Sequence, residues 1–323
     1  MKSVDAIVRR VTLRELRLLA AIAHSGSILK AAQEVGLSQP ALSKALADLE
    51  ETLGVRLFDR TNRGVEPTPH GSVFIRRALA VFDEMRRGVE ELKVLTDSTG
   101  GEIRMGGTPT MCGGFLSHAV ASMGSERPGI RYKLLELESE RLAMEVRNRL
   151  IDIGIGREPP VRPDGELSFE RLFDDPLYVV AGADHPLARR RRITLADLAD
   201  QRWVLPMPQT PVSGQLRAAF ERQGAAMPES IVTSMSVLVR HELLSTNRFL
   251  TVLYGSMLQF GNMPSSLRIL PVELSARLSI GVYKLEGRTL SPATELFIES
   301  MKTFAARMRT VSVDMLQRAL RER

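Results

Sequence analysis

Ala31-Ala32-Gln33-Glu34-Val35-Gly36-Leu37-Ser38-Gln39-Pro40-Ala41-Leu42-Ser43-Lys44 is the stretch from which the fold of this chain can be read. The small pair Ala31 and Ala32 lets another helix approach closely. Gly36 supplies the position after a helix where positive φ is cheap. Ser38 is an N-cap residue, and Pro40 sits in the first turn of the next helix, where its missing N–H costs nothing. Downstream, Leu42, Ala45, Leu46, Leu49 and Leu53 recur at helical spacing; upstream, Leu13, Leu16, Leu19, Ile22 and Ala23 do the same behind Thr12. Ser25-Gly26-Ser27 separates that first helix from the one over 28–35. Helix, tight glycine turn, helix is the helix-turn-helix arrangement. Opposite its leucines the last helix shows Gln39, Pro40, Ser43 and Lys44, small or hydrogen-bonding groups with one cation, a surface that fits a DNA major groove. The acidic Asp48, Glu50 and Glu51 fall towards its far end, away from phosphate.

Next come two short runs, 55–60 and 65–67, around Thr61-Asn62-Arg63-Gly64, which predicts a hairpin. Arg60 and Arg63 sit where such a wing meets sugar-phosphate or the minor groove. Thr68-Pro69-His70-Gly71 starts a further helix with a cap and an N1 proline. From 73 to about 95 no proline intervenes. Phe74, Ala78, Val81, Phe82, Met85, Val89, Leu92 and Leu95 form an apolar seam whose spacing alternates three and four, which fits a helix packed on its own body or, the favoured reading, a dimer helix.

Together, Ala31-Ala32, the run 37–44, Leu49-Glu50, Leu53-Gly54, Leu57-Phe58-Asp59-Arg60 and Thr68-Pro69-His70-Gly71 closely resemble the signature of LysR-type transcriptional regulators over about sixty residues. The resemblance implies an α/β chain with an N-terminal winged helix-turn-helix over 11–68 and a linker and dimerisation helix over 69–97. It also implies a two-lobed effector domain over 102–309, of the type 2 periplasmic-binding-protein fold. Lobe one is expected at about 102–172 and 268–305, lobe two at about 173–267, with the ligand cleft between them. The implied function is sequence-specific transcriptional regulation controlled by a small-molecule effector. The implied partners are double-stranded operator DNA, that effector, a second copy in a homodimer or homotetramer, and RNA polymerase. Ser38, Gln39, Pro40, Ser43, Lys44, Arg60 and Arg63 are the DNA-binding candidates.

Length and charge agree with this division. The chain has 323 residues with a net charge of +6, enough for two or three domains. Residues 1–77 hold 12 basic against 8 acidic side chains, and the rest 32 against 30, so the basic excess is concentrated in a small head. No apolar run is long enough to span a membrane. Lys2, Arg9 and Arg10 precede an apolar stretch as in a secretion signal, but Arg14, Glu15 and Arg17 interrupt it, so a cytoplasmic protein is expected.

After Glu102 the pattern turns to α/β. Strand-like runs at 103–107, 131–137, 152–156, 177–181, 203–205, 250–253, 268–271 and 278–283 are mostly separated by helical patterns, which predicts mostly parallel sheets. Ligands bind beyond the carboxyl ends of such strands. Thr108, Pro109 and Thr110 follow the first run; Gln209, Thr210 and Ser213 follow the run at 203–205. Hydroxyls and free N–H groups at helix starts favour an anion such as a carboxylate, so these six are the effector candidates. Helix capping alone also accounts for the Thr and Ser. The loop chemistry leans towards a small organic acid. Tyr254 and Ser256 are weaker candidates.

The same residues weigh against several chemistries. One cysteine, Cys112, leaves no disulfide, no resolving partner for redox sensing and no zinc cluster with the five histidines. No nucleophile elbow, zinc-protease or P-loop motif is present. The glycines of Asp152-Ile153-Gly154-Ile155-Gly156-Arg157 stand at the wrong place for a dinucleotide fingerprint. No catalytic residue, cofactor or metal is expected. Two readings stand beside the effector-controlled regulator: a constitutive DNA-binding protein without a ligand, and an enzyme on the C-terminal domain. The arginines at 189–192 read as a solvated loop, with an extra DNA contact as the alternative.

Overall fold

The computed structural model describes residues 3–61, 64–96, 100–159, 166–261, 263–308 and 312–321, and within them leaves out the side chains of residues 91, 93–96, 230, 319 and 321. The chain divides after Thr96 into two compact units.

The first unit opens with α1 (Val4–Val8), which precedes the expected domain start. Three helices then carry the apolar spacing: α2 (Leu13–Ser25), α3 (Ile28–Glu34) and α4 (Gln39–Leu53). Thr12 and Glu15 form a reciprocal capping box on α2, and Ser27 and Ser38 cap α3 and α4. Gly36 adopts φ +70 in the turn. The hairpin is β1 (Phe58–Thr61) against β2 (Gly64–Pro67), with Thr61 paired to Gly64. Thr68 Oγ1 accepts from the Gly71 N–H at 2.9 Å and donates to the Arg56 carbonyl at 2.8 Å, starting α5 (Pro69–Thr96). A Cβ at Gly71 would lie 1.8 Å from the Leu57 carbonyl oxygen, so only glycine lets α5 begin there. Ile75 and Ala78 are buried in the core of Leu19, Ile22, Leu42, Leu49 and Leu57. The first half of α5 therefore belongs to the head, rather than to a linker separate from it. Beyond it, Val81, Met85, Val89 and Leu92 are exposed along the expected seam; the Leu95 side chain lies outside the described set.

The second unit holds two sheets that share one strand. In chain order its elements are β3 (Gly101–Gly107), α6 (Pro109–Met111), a π-turn (Cys112–Leu116), α7 (Ser117–Glu126), β4 (Ile130–Glu136), α8 (Ser139–Arg147), β5 (Ile153–Arg157) and β6 (Leu167–Gly182). A 3-10 turn (Pro186–Arg189), α9 (Ala196–Ala199), β7 (Trp203–Leu205), α10 (Pro211–Arg222), β8 (Ser230–Thr233), α11 (Val237–Ser245) and β9 (Leu250–Tyr254) follow. The unit ends with α12 (Gly255–Phe260), β10 (Leu267–Ile269), β11 (Arg277–Leu285), α13 (Pro292–Met308) and α14 (Val313–Arg321).

The first sheet runs β4-β3-β5-β11-β6, the second β6-β9-β7-β8 with β10 on the other edge of β6. The pairs β3–β4, β3–β5, β7–β8 and β7–β9 are parallel; those of β6 with β9, β10 and β11, and of β11 with β5, are antiparallel. The expectation of mostly parallel sheets is therefore corrected. The chain leaves the first lobe on β6 and returns on β11, and strands that run out and back must pair antiparallel. The run expected at 177–181 is only the second half of β6; its first half, with charged residues among its apolar ones, did not show as a strand.

The lobe boundaries move for the same reason. Leu172 and Phe173 pack in the first core and Leu177 in the second, so the outward crossing lies near Pro176. Leu267, Ile269, Leu270, Leu274 and Ala276 all pack in the second core, so the return lies at 276–277 and not at 268. The body also runs past the expected end at 309: Leu316 and Leu320 of α14 are fully buried in the second core, and Gln317 Oε1 accepts from the Ile269 N–H at 2.9 Å. The glycines of the 152–157 run are explained by packing. A Cβ at Gly154 or Gly156 would approach the Leu142 side chain of α8 to 2.8 or 2.9 Å.

Candidate functional site

On the head, Gln39, Pro40 and Lys44 are exposed on one face of α4 and Ser38 is exposed at its start. Ser38 Oγ is occupied as the cap, accepting from the Ala41 N–H at 3.4 Å. Ser43 differs from expectation. It is half-buried, and its hydroxyl is shielded without a hydrogen-bond partner among the described residues. Arg60 is exposed on β1, whereas Arg63 lies outside the described residues. Sequence reasoning grouped Glu50 with the outlying acids. Its Oε1 in fact accepts from the N–H groups of Leu57 and Phe58 at 2.7 and 3.2 Å, tying the end of α4 to the start of the wing.

In the body, the carboxyl end of β5 meets the carboxyl end of β9. The Arg157 guanidinium lies 5.3 Å over the Tyr254 ring, a cation–π contact between the two lobes. The Tyr283 hydroxyl donates to the Arg157 carbonyl. Asp175, fully buried on β6 beside the outward crossing, accepts from the Ser256 N–H at 2.8 Å and from the Ser256 hydroxyl. Burial pushes its carboxyl up to about 7, against the opposing pull of Ser256 and Arg157. Arg240 is buried on α11, with its Nη atoms donating to the carbonyls of Val252 and Met235 at 3.2 and 3.3 Å. Its Nε and the Tyr254 hydroxyl are buried with no hydrogen-bond partner among the described residues. Burial raises the Tyr254 phenol and lowers the Arg240 guanidinium.

The predicted loops leave the sheets at these same ends, because β3 runs parallel to β5 and β7 parallel to β9. Thr108 and Thr110 are buried, and their hydroxyls bond each other at 3.3 Å; Thr108 makes no side-chain cap. Pro109 is half-buried between them. Thr210 does cap α10, accepting from the Ser213 N–H at 3.4 Å and donating to the Met207 carbonyl at 2.7 Å. Ser213 Oγ donates to the Met207 carbonyl at 2.8 Å, and Gln209 is exposed. The second loop's hydroxyls are thus consumed within the loop, and among the described residues no hydrogen bond joins the two loops. Arg157 and Arg240 were missed. The first could have been found as the charged residue ending an apolar strand; the second, one helix position among several, gave no signal.

Cys112 is buried, and its thiol is pushed up to about 11, chiefly by burial. No group of metal-ligating side chains occurs among the described residues, and no described helix is long and apolar enough to cross a membrane.

Residues 13–72 match the bacterial regulatory helix-turn-helix protein family of lysR type, and residues 96–306 match the LysR substrate binding domain. The HTH-type transcriptional regulator GbpR of Azospirillum brasilense is 30% identical over 315 residues, covering 96% of this chain and 90% of that one. Among solved structures, a full-length OxyR variant from Pseudomonas aeruginosa is similar with a TM-score of 0.65 at 22% identity, covering 94% of this chain and 96% of that one. Full-length CbnR in complex with its target DNA has a TM-score of 0.53 at 18% identity, covering 91% of this chain and all of the other.

Proposed function

The chain belongs to the LysR family of transcriptional regulators, with a DNA-binding head and an effector-binding body, and from that premise we propose how each part works. The head reads operator DNA with Gln39, Pro40 and Lys44 of α4 in the major groove, with Ser38 and Ser43 at the helix edge and Arg60 and Arg63 of the wing on the backbone. The exposed face of α4 carries this reading. The exposed stripe Val81, Met85, Val89 and Leu92 pairs with a second copy, giving a homodimer or a homotetramer with RNA polymerase as a further contact, in the cytoplasm.

The effector is a small organic acid held between the lobes. Thr108, Pro109 and Thr110 approach it from the first lobe and Gln209, Thr210 and Ser213 from the second, with Arg157, Arg240 and Tyr254 behind them. The supporting observation is the buried Tyr254 hydroxyl and Arg240 Nε, both without partners among the described residues, beside the Arg157 guanidinium. Buried polar groups are costly unless satisfied, and a carboxylate would satisfy these. Binding shifts the regulator between DNA-bound states only through different affinity for each.

Selection of bound duplexes from a random pool, followed by titration, tests the head. Lys44→Ala and Arg60→Ala should each weaken operator binding about five- to fiftyfold with the fold intact; unchanged affinity in both rejects the assignment. A calorimetric screen of carboxylic acids tests the cleft. Tyr254→Phe should weaken the acid found by roughly tenfold, and no change there or in Thr108→Val rejects the site.

A further inference from the structure

The four arginines at 189–192 are not an isolated loop. Contacts tie them to two more at one end of the second sheet. Arg189 faces Asp184 at 4.0 Å, and the Asp184 N–H donates to Asn247 Oδ1 at 3.1 Å, next to Arg248. Arg190 pairs with Asp197 of α9 at 3.2 Å, and α9 leads to Arg202, whose carbonyl accepts from the Leu250 N–H at 2.8 Å. The chain from Arg248 to Leu250 closes the ring. This is the end where β6 finishes and β7 and β9 begin, opposite to the ends at which Arg157 meets Tyr254.

All six arginines, Arg189, Arg190, Arg191, Arg192, Arg202 and Arg248, are exposed. Segments 184–202 and 246–249 contain these six against three aspartates, an excess of three. The body from Asp97 onward holds 29 basic against 26 acidic side chains, an excess of three, so the pole accounts for all of it and the remainder of the body is neutral overall. The acids there offset only part of this charge. Asp197 offsets Arg190 alone, at 3.2 Å, and the Arg189–Asp184 pair is long and solvated. Arg191, Arg192, Arg202 and Arg248 have no ion pair among the described residues. None of the large apolar side chains exposed among the described residues falls in these two segments; Leu187 and Ile193 are buried. A protein partner would be expected to find an apolar anchor at the centre of its patch. A phosphate backbone needs only forked cations, and every cation here is an arginine.

We propose that this arginine pole of the body is a second, sequence-independent DNA-binding surface, engaging phosphates outside the stretch read by the head. The proposal rests on the chain's membership of a DNA-binding family, and not on the effector reading.

The test measures binding of the full-length protein to a labelled duplex of about 60 base pairs and arbitrary sequence, across a salt series. The slope of log affinity against log salt reports phosphate contacts, about 0.9 for each. Simultaneous Arg189→Gln, Arg190→Gln, Arg191→Gln and Arg192→Gln should make the slope shallower by about two to four. The pair Arg202→Gln and Arg248→Gln should make it shallower by about one to two. A charge-matched pair on the other lobe, Arg127→Gln and Arg131→Gln, should leave it unchanged. Equal slopes for wild type and both pole variants would overturn the proposal, as would an equal loss in the charge-matched control. Retained DNA slopes with lost binding of polyglutamate would also overturn it, and would assign the pole to an acidic protein. Should the fourfold variant not fold, the Arg202 and Arg248 pair decides alone.

Discussion

Glu50 offers the sharpest test of how the head is held together. Glu50→Ala removes the acceptor for two backbone N–H groups, those of Leu57 and Phe58. Leu57 and Phe58 are both buried, whereas Glu50 itself is half-buried, so water can partly replace the lost acceptor. A hydrogen bond to a charged group contributes about 1.5–3 kcal/mol and an orphaned buried donor costs about 1–3 kcal/mol, so with partial rehydration a total of about 2 kcal/mol is expected. The loss is local, because the bonds join the end of α4 to the first residues of the wing. Native-state hydrogen exchange on the intact protein should therefore show the amides of residues 57–61 exchanging about thirtyfold faster, since 1.4 kcal/mol is a factor of ten. Peptides from β3 onward should be unaffected. Glu50→Gln keeps one oxygen acceptor and should recover most of the protection. Exposed Glu51, changed to Ala, is the control. Acceleration of less than threefold at 57–61, or equal acceleration in the Glu51 variant, would refute the claim that Glu50 positions the wing.

Other outcomes follow from the same geometry. Met85→Glu with Val89→Glu places charge on the exposed α5 stripe, and light scattering should show smaller assemblies than wild type; unchanged mass would remove α5 from the interface. With its pKa near 11, Cys112 is only about 0.03% thiolate at pH 7.5, so alkylation should be slow and rise about tenfold per pH unit; fast alkylation at neutral pH would contradict its burial. Asp175 has a folded-state pKa raised from 3.8 to about 7, so its contribution to stability is full below about pH 4 and is lost as pH rises towards about 7. The urea midpoint of wild type should accordingly fall relative to Asp175→Asn between pH 5 and pH 7.5, and a difference independent of pH would refute the buried, shifted carboxyl.

What the sequence determined by itself was the head and the alternation of the body. The caps at Thr12, Ser27 and Ser38, the turn at Gly36 and the leucines of α4 act between residues three or four apart, and such local physics is written directly in the order of side chains. The exposed face of α4 was legible for the same reason, apart from Ser43, which is half-buried with its hydroxyl shielded. Only the tertiary structure decided the rest. β6 is one strand shared by two sheets because β11 and β9 pair with its two halves, and no window of sequence contains all three. Arg157, Asp175, Arg240 and Tyr254 come from four elements, and sheet register brings them together although each alone reads as an ordinary strand or helix residue. The pairing of β7 with β9 brings Arg202 and Arg248 together, and the contacts of Asp184 with Asn247 and of Arg190 with Asp197 join them to the run at 189–192. Interactions across dozens of residues depend on which strands become neighbours, and that choice is made by packing of the whole body rather than by any local pattern.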